Sequence, residues 1–342
     1  MSIYLKSCPR CGGNINCDFD QDSTLERTKG FACINCGFSP NERKDYYSPM
    51  LAKLTHAFDD PEYYYEPKYD GIRCIAYTGT KSVKYINRSG NDITERFPEI
   101  RVKTNYPVVI DGELVCLDEN RVPNFQLMQT RMNRITDIAE FAAKHPAVYY
   151  VFDIMAVGRW DVTSLALARR KQLIEEYVIF SDNIKVTPYV QENGIALFKS
   201  LSEQKWEGIM AKRIISPYIV GDRSMLWQKI KAIKQDVFTV VGTTFGWGRR
   251  ENYFGALIVA AQANQYLFHI GEVGTGFTDY DLIQLTKLLE PLKITTPPID
   301  DLPRGMHVQY WVEPKVKIKV AFQELTNKNK LRHPSFQGLV NA

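Results

Sequence analysis

Two short knuckles near the N-terminus constrain the chain most. Cys8-Pro9-Arg10-Cys11-Gly12 and Cys33-Ile34-Asn35-Cys36-Gly37 are C-x-x-C pairs, each followed by glycine and separated by 21 residues. Four thiolates at that spacing read as a zinc ribbon, in which two hairpins each give two sulfurs to one tetrahedral Zn²⁺. Glycine after the second cysteine permits the tight turn that aims backbone amides at a thiolate. The alternative, a pair of disulfides or a redox C-x-x-C, fits an intracellular chain poorly. Some 40 residues bury little surface, so the metal would largely hold this part together. Cys17, Cys74 and Cys116 have no such partners and read as small apolar fillers.

Beyond the polar linker at 41–45, the 342-residue chain has room for two further domains, and 44% hydrophobic with 24% charged residues is a globular composition. A net charge of +4 is only mildly basic, so a polyanionic partner would have to be met by local lysine clusters. No apolar run reaches the roughly 18 residues of a membrane span, and Met1 to Ser7 is too short and polar for a secretory signal. No membrane association is expected, and a cytoplasmic location is.

Alternating runs at 62–67, 73–78, 82–87, 107–117 and 147–155 predict strands, followed by strands near 207–214 and 225–231. Helices are predicted over 164–178 and near 194–204. In the first, Leu167, Leu173, Ile174, Tyr177 and Val178 fall on one face, with Arg169, Arg170, Glu175 and Glu176 away from it. Strands outnumber helices without alternating strictly, which is an antiparallel α+β pattern. From about Gln235, glycine-punctuated strands with one helix over 279–290 suit a small OB-fold β-barrel, with an SH3-like barrel or an enlarged edge of the preceding domain as the alternatives. The expected domains are therefore 1–44, a zinc ribbon; 45–234, an α+β catalytic domain; and 235–342, the barrel.

Lys68-Tyr69-Asp70-Gly71-Ile72-Arg73 places a nucleophile candidate at a turn between two strands. Neighbouring cations such as Arg73 can make an amine nucleophilic, Asp70 can orient it, and Gly71 lets a phosphate approach the backbone. Alone, the same residues describe a solvated hairpin lysine. Asp111-Gly112-Glu113 puts two carboxylates on one face of a strand, able to look into one cleft. Glu207-Gly208-Ile209-Met210-Ala211-Lys212 supplies a further carboxylate, and Lys229 and Lys231 share a strand face. Carboxylates in ones and twos, completed by phosphates, are how Mg²⁺ is usually held.

The order of these motifs, with Val151-Phe152-Asp153 and Leu226-Trp227-Gln228-Lys229-Ile230-Lys231, resembles the nucleotidyltransferase motifs of ATP-dependent DNA ligases from about Pro49 to Leu339. Gly271-Glu272-Val273-Gly274-Thr275-Gly276-Phe277 and Leu331-Arg332-His333-Pro334-Ser335-Phe336-Gln337-Gly338-Leu339 look most like the ligase module of bacterial and archaeal end-joining enzymes. The resemblance implies a nucleotidyltransferase (adenylation) domain ahead of the OB-fold. Lys68 would take AMP from ATP as a phosphoramidate, pass it to the 5′-phosphate of nicked or broken duplex DNA, and the 3′-hydroxyl would then displace it.

By the same resemblance Lys229 and Lys231 join Lys68 as catalytic residues, neutralising the α-phosphate. Glu66 and Arg73 would contact the nucleotide, and Phe152 would stack on adenine, or else be an ordinary core phenylalanine. Glu113 would touch ribose or metal and Glu207 would hold Mg²⁺, or Mn²⁺ in its place. Arg88 would take the 5′-phosphate.

Arg332 is the family's C-terminal arginine, which relatives follow with Arg-x-Asp-Lys; here Gly338 is followed by Leu339-Val340-Asn341-Ala342. Either Arg332 with Lys328 and Lys330 suffices, or self-adenylation is slow. Lys315, Lys317 and Lys319 alternate with Val316, Ile318 and Val320, a cationic stripe that could follow a DNA backbone or merely keep a strand face soluble. Trp247-Gly248-Arg249-Arg250 could add a second contact. The expected state is a monomer, with the ribbon available to DNA or to a repair or replication partner. An RNA-joining or capping enzyme, or a binding protein that has lost catalysis, are the other readings; nicked DNA against RNA ends separates the first, and covalent labelling the second.

Overall fold

The computed structural model describes residues 8–13, 15–19, 28–33, 35–39, 41–79, 82–263, 266–299, 301, 305–326 and 328–340. They belong to two compact units, Met1–Lys231 and Ala232–Ala342.

Two main sheets build the first unit, beside two small two-stranded ones. In the larger, strands Asn41–Glu42, Trp160–Asp161, Ala147–Val157, Val108–Cys116, Ile72–Thr78 and Val83–Asn87 lie side by side in that order, with Ile184–Val186 added in parallel to Ala147–Val157. The smaller runs Val190–Gln191, Tyr63–Pro67, Gly208–Arg213, Arg223–Lys231 and Leu51–Leu54, antiparallel except for its last pair. Strand Val108–Cys116, expected from its alternation, sits at the middle of the larger sheet and is instead buried along nearly its whole length. Ile75, Val109, Phe152 and Met155 from the larger sheet meet Trp227 from the smaller in one buried cluster, so the sheets face each other there. Cys74 and Cys116 are buried fillers, as expected, whereas the Cys17 side chain lies outside what the structure describes.

Helix Leu167–Tyr177 covers the larger sheet with Leu173 and Ile174, and helix Gly194–Glu203 covers the smaller with Leu201 against Tyr65 and Ile209. One sequence expectation fails here. Arg170, assigned to the outer face, is fully buried because Asp153 waits beneath it: the guanidinium donates to both Asp153 oxygens at 2.7 and 3.0 Å and to the Ser216 carbonyl at 2.7 Å. A helical period of 3.6 puts Arg170 on the same stripe as Leu167, Leu173 and Ile174.

The cysteine knuckles are part of this unit. Strands Ile15–Phe19 and Thr28–Cys33 form an antiparallel hairpin. Cys8, Cys33 and Phe38 belong to the same buried cluster as Leu173 and Ile174, and Arg169 Nε donates to the Pro9 carbonyl at 2.7 Å.

The second unit is a barrel-like sheet of strands Lys234–Phe245, Phe254–Ala263, Tyr266–Val273, Val308–Val312, Lys317–Phe322 and Ser335–Leu339. Val240, Leu257, Val259, Ile318 and Val320 fill it. Helix Asp279–Leu289 opens with a capping box between Thr278 and Asp281 and buries Leu282, Leu285 and Leu289 against the strands. Lys317 and Lys319 are exposed on one side of their strand, but Lys315 lies in the turn before it, paired with Glu313. The cationic stripe is thus one residue shorter on the strand than its alternation implied, because the strand begins only at Lys317. Among the described residues, no helix is long and apolar enough to cross a membrane.

Candidate active site

Lys68 follows the last residue of strand Tyr63–Pro67 in the smaller sheet, and the next strand, Ile72–Thr78, belongs to the larger. The segment 68–71 is therefore a crossing between sheets and not a hairpin turn. Its backbone is fixed, since Lys68 N–H donates to the Gly208 carbonyl at 2.9 Å. Gly71 answers a different need from the one expected of it: a Cβ there would lie 2.2 Å from the Leu114 carbonyl oxygen, so the glycine admits the neighbouring strand.

Where the sheets meet, a cavity is lined by Glu66, Lys68, Arg73, Glu113 and Phe152, five of the residues singled out in the sequence. Tyr69, Met210, Lys212 and Trp227 complete the walls. The strand period accounts for three of these additions, because Met210 and Lys212 share a face, as do Trp227, Lys229 and Lys231. The alternation that pairs the two lysines extends to Trp227.

Glu207, just before strand Gly208–Arg213, is the electrostatic hub beside Lys68. One of its oxygens pairs with Lys68 Nζ and the other with Lys231 Nζ, the latter at 2.9 Å. Burial pushes its carboxyl up, but the two ammonium groups outweigh burial and hold it below the usual carboxylate value. Lys229, on the same strand face as Lys231, has its ammonium pulled down by burial and by the charges of Lys231, Arg223 and Lys68.

The Asp111-Gly112-Glu113 pair divides its labour. Asp111 is fully buried and engaged by Arg73 at 2.5 Å on each oxygen and by the Tyr218 hydroxyl at 2.5 Å. It does not line the cavity, so the expectation of two carboxylates in one cleft holds for Glu113 alone. Burial raises the Glu113 carboxyl to about 7, Arg73 and Lys68 pull it back, and the charge of Glu207 adds to the rise.

Two cations lie close to the Phe152 ring, the Arg73 guanidinium 4.6 Å and Lys212 Nζ 4.0 Å from its centroid. Lys212 also lies 4.1 Å from the Trp227 ring and 2.6 Å from Glu66 Oε2. Burial brings its ammonium down to about 8. Glu66 Oε1 is met at 2.6 Å by Lys171, a residue that sequence reasoning missed.

The remaining expected residues stand elsewhere. Arg88 is exposed in the turn after strand Val83–Asn87, where the Asn87 side chain accepts from the backbone N–H groups of Ser89 and Asn91. Arg332 belongs to the C-terminal unit and pairs there with Glu324 at 2.8 Å, while Lys330 donates to the His269 carbonyl at 2.6 Å.

The four knuckle sulfurs, of Cys8, Cys11, Cys33 and Cys36, all lie within 4.8 Å of one another. Four thiolates about 2.3 Å from a tetrahedral zinc would be roughly 3.8 Å apart, and Cys8–Cys36 at 3.8 Å and Cys11–Cys33 at 3.5 Å are close to that. Gly12 and Gly37 take positive φ of 75° and 67°, and N–H groups of Arg10 and Gly13 point at the Cys8 and Cys11 sulfurs at 3.3 and 3.4 Å. The donor set fits zinc.

The family model described as the ATP dependent DNA ligase domain matches residues 49–231, more than half of the chain, and that of the ATP dependent DNA ligase C terminal region matches 250–341. Among curated relatives, the DNA ligase of Thermococcus onnurineus is 32% identical over 83% of this chain and 52% of its own length. That of Thermococcus fumicolans is 30% identical over 85% and 55%. The multifunctional non-homologous end joining protein LigD of Mycolicibacterium smegmatis is 28% identical over 87% and 39%. The chain thus spans about half the length of the first of these relatives, and less of the last. The crystal structure of the ligase domain from M. tuberculosis LigD superposes with a TM-score of 0.50 at 26% identity, covering 86% of this chain and 95% of that one. A Lig E DNA ligase structure, with a TM-score of 0.58 at 17% identity over 86% of this chain and 100% of its own, is similar in fold.

Proposed function

The chain belongs to the ATP-dependent DNA ligase family, and from that premise we propose that it seals nicks or breaks in duplex DNA with ATP. The observation that carries the reading is the convergence of Glu66, Lys68, Arg73, Glu113 and Phe152 on one cavity, with Glu207 and Lys231 beside Lys68.

Lys68 Nζ, having lost a proton, bonds to the α-phosphorus of ATP as the bond to the pyrophosphate oxygen breaks and pyrophosphate leaves. An oxygen of the 5′-phosphate at the nick then bonds to that phosphorus and releases Lys68. The 3′-hydroxyl oxygen next attacks the 5′-phosphate, and AMP departs as the strand closes. Glu207 orients the Lys68 amine through its ion pair, and Lys229 and Lys231 neutralise charge building on the α-phosphate. Phe152 offers a flat face to adenine, and Glu66 a polar edge.

Family membership implies a divalent cation. Glu113 and Glu207 fit one, since hard oxygens suit Mg²⁺ or Mn²⁺ and a cation would relieve the burial cost that raises Glu113. When bound, such an ion supplies charge neutralisation to the phosphates. Cys8, Cys11, Cys33 and Cys36 would hold Zn²⁺ in a structural role. Arg88, Lys317 and Lys319 would follow the DNA backbone, with Lys315 a weaker contributor, and Arg332 would act in the first step. We read the chain as a cytoplasmic monomer organised as 1–44, 45–234 and 235–342, with the ribbon free to meet a repair partner.

The test is incubation with α-labelled ATP and Mg²⁺ beside a Lys68→Ala control, followed by nicked duplex DNA or nicked RNA. Covalent label on the wild type alone, discharged on sealing DNA, is the expected result. Label that is discharged only on RNA ends would move the substrate class. Absence of label together with failure to seal pre-adenylated nicked DNA would leave a binding protein.

A further inference from the structure

Glu66 is an unusual carboxylate. It is 1% exposed, on strand Tyr63–Pro67 directly opposite Met210, and both its oxygens are taken by buried ammonium groups: Lys171 on Oε1 and Lys212 on Oε2, each at 2.6 Å. Two buried lysines on one buried glutamate leave an excess positive charge inside the protein, a costly arrangement that packing alone does not require. The two lysines differ in position. Lys212 lines the cavity and sits against Phe152 and Trp227. Lys171 comes from helix Leu167–Tyr177, is 3% exposed, does not line the cavity, and has its ammonium 4.7 Å from the Tyr189 ring. It reaches the cavity only through Glu66.

We propose that Lys171 is a positioning residue that sets base selectivity, by pinning the Glu66 carboxylate in one orientation as a hydrogen-bond acceptor toward the nucleobase. The inference rests on the reading of this cavity as the ATP site. A carboxylate only accepts, and it discriminates between bases only while its oxygen is held opposite the base's exocyclic group. Adenine presents an exocyclic amine where guanine presents a carbonyl, so a fixed acceptor welcomes the first and repels the second. With the Lys171 ammonium removed, the carboxylate loses one of its two anchors and is free to turn, and the distinction weakens.

The experiment compares covalent self-labelling with α-labelled ATP and GTP in wild type, Lys171→Met, Lys171→Arg and Glu66→Gln, and in the last combined with Lys171→Met. Lys171→Met is expected to raise KM for ATP about tenfold, to change kcat by less than about threefold, and to cut the ATP-over-GTP preference by about tenfold or more. Lys171→Arg should restore most of the preference, and in the Glu66→Gln background Lys171→Met should change it no further. Lys171→Gln, uncharged but polar, replaces the methionine variant if that one does not fold. A merely structural lysine would lower the folded fraction without moving the ATP-to-GTP ratio. An unchanged ratio beside normal wild-type labelling would overturn this inference and leave the ligase reading intact. A wild type that labels with neither nucleotide would overturn this inference as well, and one that also fails to seal pre-adenylated nicked DNA would overturn the ligase reading with it.

Discussion

Arg73 and Asp111 form a closed fork, both carboxylate oxygens 2.5 Å from the guanidinium and the acid wholly buried. Arg73 belongs to the cavity wall and Asp111 stands behind it, so the acid serves the arginine. Asp111→Asn should therefore act first on stability. Leaving a buried guanidinium half-partnered costs roughly 3–5 kcal/mol, and the thermal midpoint should fall before any ligand is added. The double variant Asp111→Asn with Arg73→Met should recover much of that loss and none of the nucleotide binding, as read by differential scanning calorimetry and ATP titration.

Glu113 predicts an acid-side gain in stability. Its carboxyl is raised from the ordinary value to about 7 in the folded protein, so the folded state holds the proton more tightly than the unfolded one. Its contribution is complete below the unfolded value of about 4.5 and is lost as pH rises through about 7, roughly 3 kcal/mol in all. Denaturant melts at pH 5 and pH 8 should differ less in Glu113→Gln than in wild type. An identical difference in both would sink the assignment.

Glu207 predicts the opposite sign. Despite burial, Lys68 and Lys231 hold its carboxyl low, so its pairing stabilises the protein above the ordinary glutamate value and fades as pH falls below it. Glu207→Gln should remove that acid-side loss, while self-labelling of Lys68 drops by at least about a hundredfold because an oriented group near the reacting amine is gone. Label incorporation against time is the measurement.

Chelation of the knuckles should be felt well beyond them. Cys8 and Cys33 are packed with Leu173 and Ile174 of helix Leu167–Tyr177, so loss of zinc exposes one face of that cluster. A chelator, or Cys33→Ser, should lower the thermal midpoint of the whole N-terminal unit in a single transition. A separate low-temperature step with the main transition unmoved would mean the ribbon melts alone.

DNA affinity should separate the three lysines of the barrel. Lys317 and Lys319 are exposed on their strand, while Lys315 is already paired with Glu313. Lys317→Ala and Lys319→Ala should each reduce the slope of log affinity against log salt by about 0.9 if each meets a phosphate. Lys315→Ala should change it less, as measured by fluorescence anisotropy on nicked duplex.

Much of the site was legible because it is built on strands. Lys229 and Lys231 follow from a period of two once the strand is recognised, and the same period holds Trp227 and Lys212, whereas it wrongly put Asp111 in the cleft with Glu113. Lys171 was not legible: its partner Glu66 lies on a strand more than a hundred residues earlier, and a lysine in a charged helical stretch has no local mark of burial. Arg170 was misjudged although its period with Leu167, Leu173 and Ile174 marks the buried stripe, because its charge argued for solvent and its buried partner Asp153 is remote in sequence. The hairpin reading of Lys68 failed because strand pairing is a property of the sheet. Tyr63–Pro67 and Ile72–Thr78 are close in sequence yet have different neighbours.

Arg169, Arg170 and Lys171 leave one helix in succession and end on three different bodies: the Pro9 carbonyl, Asp153 and Glu66. Consecutive helical residues point about 100° apart, so these three anchors sweep most of the circumference. A rod pinned at three azimuths can neither roll nor slide without dragging every pin. The knuckle, the sheet and the cavity wall thus share one axle, and shortening the protein from its N-terminus would loosen the bearing on which the pocket turns.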